Sequence, residues 1–165
     1  MSKIGLGIVT CNRPDFLSKC IESIDLEKLD VKAIVNDGTI DVKHQSFHIM
    51  HNKENLGVGK SKNKLLKYLR SQDCDYIFLL EDDMLILDNN VFDKYIEAYK
   101  ASGIHHFNYG PGSPFNRKQN FEFDLHNRHL CDQHSDPNPR KIIDYGNDVK
   151  ISLFTHTVAM FSFFT

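Results

Sequence analysis

Several features are scarce in this 165-residue sequence, and each absence argues against a class of protein. Charge of one sign is lacking, because 20 basic and 22 acidic side chains give a formal net charge of -2. A chain with this balance of charges lacks the excess of positive charge that binds nucleic acid or an anionic membrane. Long apolar runs are also lacking. The longest stretch, residues 151–165, is too short and too rich in Ser, Thr and His to span a bilayer, and it predicts one or two buried strands. We therefore expect no nucleic-acid partner and no membrane span.

Cysteine is scarce, and its spacing is not that of a disulfide or metal framework. The four cysteines form no C-x-x-C pair, which favours a reducing compartment. The first residues run directly into a strand-like segment without a charged leader and an apolar signal core. We therefore expect a cytoplasmic protein. The cysteines are Cys11, Cys20, Cys74 and Cys131.

Strand-like and helix-like patterns alternate over the first hundred residues. This alternation predicts an α/β fold with a mixed, mostly parallel central sheet flanked by helices. The helix after the first strand is expected to begin at Pro14, where the missing N–H is tolerated. Apolar runs predict strands at 4–9, 31–35, 47–51 and 76–80. Helical spacing recurs at Phe16, Leu17, Cys20, Ile21 and Ile24. The helical faces expected to be buried are Val58, Leu65, Leu66 and Leu69, then Val91, Phe92, Tyr95, Ile96 and Tyr99.

Polar residues follow three of the predicted strands, at residues 10–13, 36–39 and 81–83. In open α/β sheets, ligands bind at the carboxyl ends of the strands. The sequence therefore predicts that these three segments form one site.

The segment Glu81-Asp82-Asp83 places three acids directly after a dense apolar run. Neighbouring carboxylates repel, and partial burial raises their pKa unless a cation compensates. Mg²⁺ or Mn²⁺ accepts carboxylate oxygens and keeps positions open for phosphate. A solvated turn whose acids serve the next helix N-terminus explains the same residues about equally well.

Four motifs follow one another along the chain: IVTCNRP at 8–14, VNDGT at 35–39, N-x-G-x-G-x-S-K-N at 55–63, and YIFLLEDDM at 76–84. In this order they resemble the motifs of family 2 glycosyltransferases with the GT-A fold, and the last is an E-D-D variant of the D-x-D motif. The resemblance covers about half of the chain. It implies a GT-A domain at 1–165, in which residues 1–100 form the nucleotide-sugar-binding half. Residues 101–165 would begin an acceptor-side half that we expect to be truncated.

The resemblance implies a role for individual residues. The donor would be a nucleoside diphosphate-sugar, most often a uridine one, and the acceptor a glycan or another hydroxyl compound. Asp83 would be the main ligand of Mn²⁺ or Mg²⁺, and Glu81 would assist directly or through water. The remaining residues implied to bind the donor are Thr10, Asn12 and Arg13 near base and ribose, Asp37 on the uracil N–H, Asp82 on the ribose, and Lys60, Lys62 and Asn63 in the third motif.

Two departures from the family pattern leave alternatives open. Glu81 replaces the usual Asp, so its longer arm need not touch the metal. Lys62 stands where Arg is common, which keeps the charge but loses bidentate geometry. Lys60, Lys62 and Lys64 equally fit a solvated helix face, and Asp37 equally fits a plain turn beside Gly38.

An inverting transferase needs a general base near the acceptor hydroxyl, and the family carries it after the acidic motif. Asp144 and Asp148 are the remaining candidates, although surface roles suit both. The base is also expected to lie beyond the chain end. The sequence names no catalytic residue.

Three other functions compete. A P-loop is rejected because Glu54 stands where its first glycine belongs. A metal-dependent nucleotidyltransferase would need a glycine-rich, arginine-containing loop after the first strand, and residues 10–14 do not form one. A nucleotide-sugar-binding domain without turnover stays open. Zinc binding by the short histidine-rich segment is a weak alternative; its residues are His126, His129, Cys131 and His134. Another is a metal ligand from the last strand, His156.

Overall fold

The structure is a computed structural model that describes residues 2–108, 141–147, 149–153 and 161–165. Three helices and eight strands lie in these ranges. The strands are β1 (Ile4–Thr10), β2 (Val31–Asn36), β3 (His48–His51), β4 (Tyr76–Glu81), β5 (His106–Asn108), β6 (Lys141–Asp144), β7 (Lys150–Leu153) and β8 (Phe161–Phe164). The helices are α1 (Pro14–Glu22), α2 (Val58–Ser71) and α3 (Val91–Ser102), with a short 3-10 turn at Leu26–Lys28.

Six strands form the central sheet in the order β3-β2-β1-β4-β8-β5. The first four are parallel, whereas β8 runs antiparallel between β4 and β5. Both faces of β1 and β4 are buried, as expected for parallel strands covered by helices on two sides. The predicted α/β fold with a mixed, mostly parallel sheet is confirmed.

Two apolar layers hold the sheet between the helices. On one face, the ring of Phe78 of β4 packs edge to face against the ring of Phe92 of α3, with the centroids 4.9 Å apart. On the other face, Leu65 and Leu69 of α2 pack against β1 and β4 and are fully buried. Gly7 permits this approach, because a Cβ there would lie 3.0 Å from the Leu65 side chain. The sheet edge is thus positioned against rigid helices.

The predicted buried faces of the last two helices are confirmed except at Val58, with Leu66, Val91, Tyr95 and Tyr99 partly buried. Val58 is 47% exposed, so that prediction of burial was wrong, and Phe16 in the spacing of the first helix is 54% exposed. Phe16 lies in the first turn of α1, and the Arg13 guanidinium sits 5.6 Å from its ring centroid. Val58 is the first residue of α2 and precedes the turn at which Ser61 and Leu65 face the sheet. Helical periodicity does not show where along a helix contact with the sheet begins.

The apolar stretch at 151–165 contributes to two sheets. The strand β8 is buried in the central sheet, which confirms a buried strand there. The strand β7 pairs instead with β6 in a separate two-stranded sheet, and only Ile151 of it is buried. Across the part of the chain that the structure describes, no helix is long and apolar enough to cross a membrane.

Candidate active site

The carboxyl ends of β2, β1 and β4 lie side by side and bring the three predicted segments together. The residue pairs Thr10↔Asn36 and Val9↔Glu81 are aligned across the sheet. Just past the strand ends, the Asp37 N–H donates to the Thr10 carbonyl at 2.8 Å. These backbone contacts explain why residues far apart in sequence converge on one edge.

Asp82 is the buried centre of the site. Its side chain has no exposed surface, and the Thr10 hydroxyl donates to its Oδ2 at 2.7 Å. The Arg13 guanidinium adds two bonds, from Nη2 to Oδ1 and from Nε to Oδ2 at 3.3 Å. Thr10 and Arg13 therefore engage both oxygens of this carboxylate, and so lock the end of β4 to the end of β1.

Asp83 is the accessible acid of the cluster. One third of its side chain is exposed, and Arg13 Nη1 donates to its Oδ2 at 3.2 Å. Burial by itself would lower the pKa of Arg13, but the charges of Asp82 and Asp83 outweigh burial and raise the pKa above its usual value. Arg13 therefore stays charged and acts as a counter-ion for both acids.

Glu81 is paired with a residue of α2. Lys62 Nζ donates to its Oε1 at 2.7 Å, and the side chains are only 15% and 25% exposed. Lys62 therefore lies in a half-buried ion pair rather than on a solvated helix face. The arm of Glu81, longer than that of Asp, reaches across the sheet edge to the helix.

Arg13 and Lys62 thus offset two of the three negative charges of the acidic cluster. The sequence predicts that a divalent ion compensates the cluster, whereas in the structure Arg13 and Lys62 supply positive charge. Among the described residues, no group of three or more His, Cys, Asp or Glu side chains is arranged to hold a metal. Asp83, at 33%, has the most exposed side chain of the three acids and so offers the most surface to an incoming cation.

Asp37 points into the protein. It is 4% exposed, and its carboxylate accepts from Leu56 N and Gly57 N at 2.8 Å each and from Asn52 Nδ2 at 2.7 Å. Burial would raise the pKa of Asp37, but the hydrogen bonds from Leu56, Asn52, Gly57 and Ser61 together hold the pKa below its ordinary value. Asp37 is therefore ionised and fully engaged.

The amide oxygen of Asn12 holds the loop after β2 in place and does not point outward. Its backbone has a φ of 55°, and its Oδ1 accepts from the N–H groups of Thr39 and Ile40 at 2.7 and 2.9 Å. Gly38 allows this contact, since a Cβ there would lie 2.6 Å from the Asn12 nitrogen. The loops after β1 and β2 are thereby joined.

The remaining predicted residues lie on the first two turns of α2. Lys60 and Asn63 are exposed. Lys64 is not a free surface residue, because its Nζ donates to Asn52 Oδ1 at 2.8 Å and to the His51 carbonyl at 3.2 Å. The sequence did not single out Asn52 or Ser61, although Asn52 directly follows β3 as Asp37 directly follows β2.

Cys20 lies beneath the acidic cluster and was expected only as a core residue. Burial, with the charges of Asp82 and Asp83, raises its pKa to about 12. Its Sγ is 4.0 Å from the Glu81 carbonyl oxygen. Cys20 is therefore an uncharged packing group under the site.

Of the candidates for the general base and for zinc, only Asp144 falls within the described residues. Asp144 is exposed in the two-stranded sheet, where Lys150 pairs with it at 3.4 Å. A hydrogen bond from the Gly146 N–H, aided by Lys150, lowers the pKa of Asp144. Asp148 and the predicted zinc residues fall outside the described residues, as does the last candidate metal ligand, His156.

The profile of the family described as "Glycosyl transferase family 2" matches residues 6–164. The chain belongs to this family. A relative in Acanthamoeba polyphaga mimivirus, described as an uncharacterized glycosyltransferase, is 27% identical over 125 residues, which are 66% of this chain and 48% of the relative. The chain thus spans about half the length of that curated relative.

Solved structures share the fold of this family 2 chain at low identity. The mannosyltransferase PcManGT from Pyrobaculum calidifontis, in complex with GDP-Man and Mn²⁺, superimposes with a TM-score of 0.51 and 11% identity over 68% of this chain and 37% of the other. S. aureus TarS also gives a TM-score of 0.51, with 15% identity over 73% of this chain and 40% of the other. The GT-A fold expected from the motifs is confirmed.

Proposed function

We propose that this family 2 domain binds a nucleoside diphosphate-sugar at the carboxyl edge of β2, β1 and β4 and transfers its sugar to a hydroxyl of a glycan or other acceptor. The observation that carries the proposal is the pairing of a buried Asp82 with a partly exposed Asp83 on this edge, opposite the lysine-bearing start of α2. We propose a uridine diphosphate donor from the motif resemblance. PcManGT, which has a similar fold, is in complex with GDP-Man, so the experiment below varies the nucleotide base of the ligand.

A divalent cation fits the donor set if it arrives with the diphosphate. Arg13 engages both oxygens of Asp82 and one of Asp83, and Lys62 engages Glu81. Asp83 has the most exposed side chain of the three and is therefore the most accessible hard oxygen ligand. Mg²⁺ is often held by one or two carboxylates together with substrate phosphates. We propose that Asp83 holds Mn²⁺ or Mg²⁺ and that Glu81 assists through water. Once bound, the ion would neutralise the diphosphate as leaving group.

The chain's own cations would bind the phosphates. Lys60 is exposed in the first turn of α2, where the helix N-terminus also favours an anion. Lys62 lies one half-turn further, on Glu81. We propose that these two lysines and Asn63 line the diphosphate side of the site, and that they hold the anomeric carbon in place for attack.

The base and ribose would lie near the loop after β1. Thr10, Asn12 and Arg13 border this region of the edge. Asp82 is proposed to bond the ribose. Its side chain has no exposed surface, so a ribose hydroxyl can reach it only if a neighbouring group moves. We therefore propose that Arg13 turns toward the negatively charged donor as it binds.

Thermal unfolding with a panel of nucleoside diphosphates, with and without Mn²⁺, tests this function. A ligand at about 100 times its Kd adds about 2.7 kcal/mol to the unfolding free energy, which is about 5–10 °C for a domain of this size. We expect this shift for a uridine diphosphate with Mn²⁺ and expect it to vanish in Asp83→Asn. Glu97→Gln, which removes an equal charge from the exposed face of α3, should keep it.

The outcomes separate the candidate functions. No stabilisation by any nucleotide would reject the proposed site. Stabilisation followed by no hydrolysis or transfer of the matching nucleotide sugar would indicate a binding domain without turnover.

A further inference from the structure

The side-chain amides of two asparagines hold the turn after β2. Asn36 holds it from inside: its Oδ1 accepts from the Gly38 N–H at 3.0 Å, and its Nδ2 donates to the Ile40 carbonyl at 2.7 Å. Asn12 holds it from the loop after β1, because its Oδ1 accepts from the N–H groups of Thr39 and Ile40 at 2.7 and 2.9 Å. Asparagine side chains often bond main-chain groups in turns in this way. The shape of residues 38–40 therefore depends on a side chain from a different loop.

Asn12 makes this contact from an uncommon backbone conformation. Its φ of 55° lies in the left-handed region, which residues other than glycine rarely adopt and which asparagine tolerates better than most. Conformations of this kind persist where the surrounding contacts fix them, and they cluster at functional sites. The hydrogen bonds to Thr39 and Ile40 are such contacts.

Gly38 completes the contact from the side of β2. A Cβ at this position would lie 2.6 Å from the Asn12 backbone nitrogen, closer than real Cβ atoms approach other atoms. The absence of a side chain at Gly38 is therefore what lets the loops after β1 and β2 touch. Both halves of the contact are uncharged, so it can be disturbed without changing the electrostatic potential of the site.

We propose that Asn12 is a positioning residue that clamps the loop after β2 to the loop after β1 and so shapes the part of the sheet edge that receives the base and ribose. The inference rests on the proposed function, which puts the base and ribose near the loop after β1. Asn12 acts here through the main chain of residues 39 and 40. The lysines proposed for the diphosphate, Lys60 and Lys62, lie on α2 and outside this contact.

Loss of the amide should therefore affect the nucleoside part of a ligand and spare its phosphates. Asn12→Ala has the same charge as the unmodified protein, so the attraction of the lysines for a diphosphate is unchanged. We expect the affinity for UDP to fall on the order of tenfold, which is about 1.4 kcal/mol and the size of one net hydrogen bond. The affinity for inorganic pyrophosphate, which has no base, should stay the same.

Isothermal titration of UDP and of pyrophosphate in the presence of Mg²⁺ measures this ratio, with GDP in place of UDP if the thermal unfolding panel selects it. Asn12→Gly keeps the left-handed backbone and removes the amide, and Gly38→Ala disturbs the same contact from the other loop. Both should lower the ratio of UDP affinity to pyrophosphate affinity, including when Asn12→Ala does not fold.

Two further variants serve as controls. Asn12→Asp keeps an acceptor oxygen and should preserve the ratio, since its added charge acts on the diphosphate group of both ligands. Asn147→Ala is the matched control, because Asn147 has a similar left-handed backbone, with a φ of 50°, in the turn between β6 and β7. It should leave both affinities unchanged.

The outcomes separate this inference from the proposed function. A lowered ratio in Asn12→Gly and Gly38→Ala, with the ratio kept in both controls, supports positioning by Asn12. A parallel loss of both ligands, or an unchanged ratio in folded Asn12→Gly, overturns it while the proposed function stands. If the unmodified protein binds neither ligand, the proposed function itself fails and the inference falls with it.

Discussion

The Arg13→Gln substitution measures how much the buried carboxylate depends on its counter-ion. Removing one partner of a buried ion pair costs about 3–5 kcal/mol, whereas an exposed pair is worth about 0–1 kcal/mol. The Asp82 side chain is wholly buried but that of Arg13 is 42% exposed, so we expect a loss of about 2 kcal/mol, between these limits. For a domain of this size this corresponds to about 4–8 °C in melting temperature.

Urea unfolding followed by far-UV circular dichroism gives the free energy, because the chain has no tryptophan. Arg70→Gln, at an exposed position in the last turn of α2, removes the same charge and should stay within about 0.5 kcal/mol of the unmodified protein. Arg13→Lys keeps the charge without the planar fork and should fall between the two. If Arg13→Gln matches Arg70→Gln, then Asp82 is stabilised without Arg13 and the account of the site is wrong.

Three further predictions follow from named contacts. Thr10→Val removes the hydroxyl that donates to Asp82 at 2.7 Å and should lower the unfolding free energy by about 1.5–3 kcal/mol, with Thr10→Ser near the unmodified value in the same urea titration. The folded-state pKa of Asp37 lies below its ordinary 3.8, so the stability that Asp37 contributes is present above that pH and is lost as the pH falls through 3.8 and below. In urea titrations between pH 5 and pH 3, the unfolding free energy of Asp37→Asn should therefore depend less steeply on pH than that of the unmodified protein. An equally steep dependence would contradict this. With its pKa raised to about 12, Cys20 should resist iodoacetamide at pH 8 in the folded protein while half-buried Cys11 is modified, as site-resolved mass spectrometry will show; early labelling of Cys20 would argue against its burial.

Much of the fold could be predicted because its signals are local. Apolar runs of strand length and helical spacing at residues such as Leu65 and Leu69 need only their neighbours to be recognised. The convergence of three polar segments was also predictable, since parallel strands joined by crossover helices end at the same sheet edge. Burial at helix starts was not predictable, because periodicity does not show where along a helix contact with the sheet begins. Phe16 and Val58, in the first turns of α1 and α2, are exposed.

The roles of individual site residues were less accessible to the sequence. Glu81 and Lys62 are 19 positions apart, and no local pattern shows that their side chains meet at 2.7 Å. The same holds for Arg13, which reaches two acids about 70 positions away. The sequence therefore indicated a cation for the acidic cluster but not that Arg13 and Lys62 offset part of its charge.

The order of strands and helices, the acidic edge and the family's motifs follow from the sequence by itself, because each is set by short-range periodicity or by residues adjacent in the chain. Only the tertiary structure decided which carboxylates are engaged inside the protein and which one is accessible. Asp37 and Asp82 are buried by hydrogen bonds and ion pairs from distant segments, while Asp83 keeps exposed surface. The energy of a charge depends on the donors and the solvent around it, and those are fixed by folding rather than by sequence neighbours.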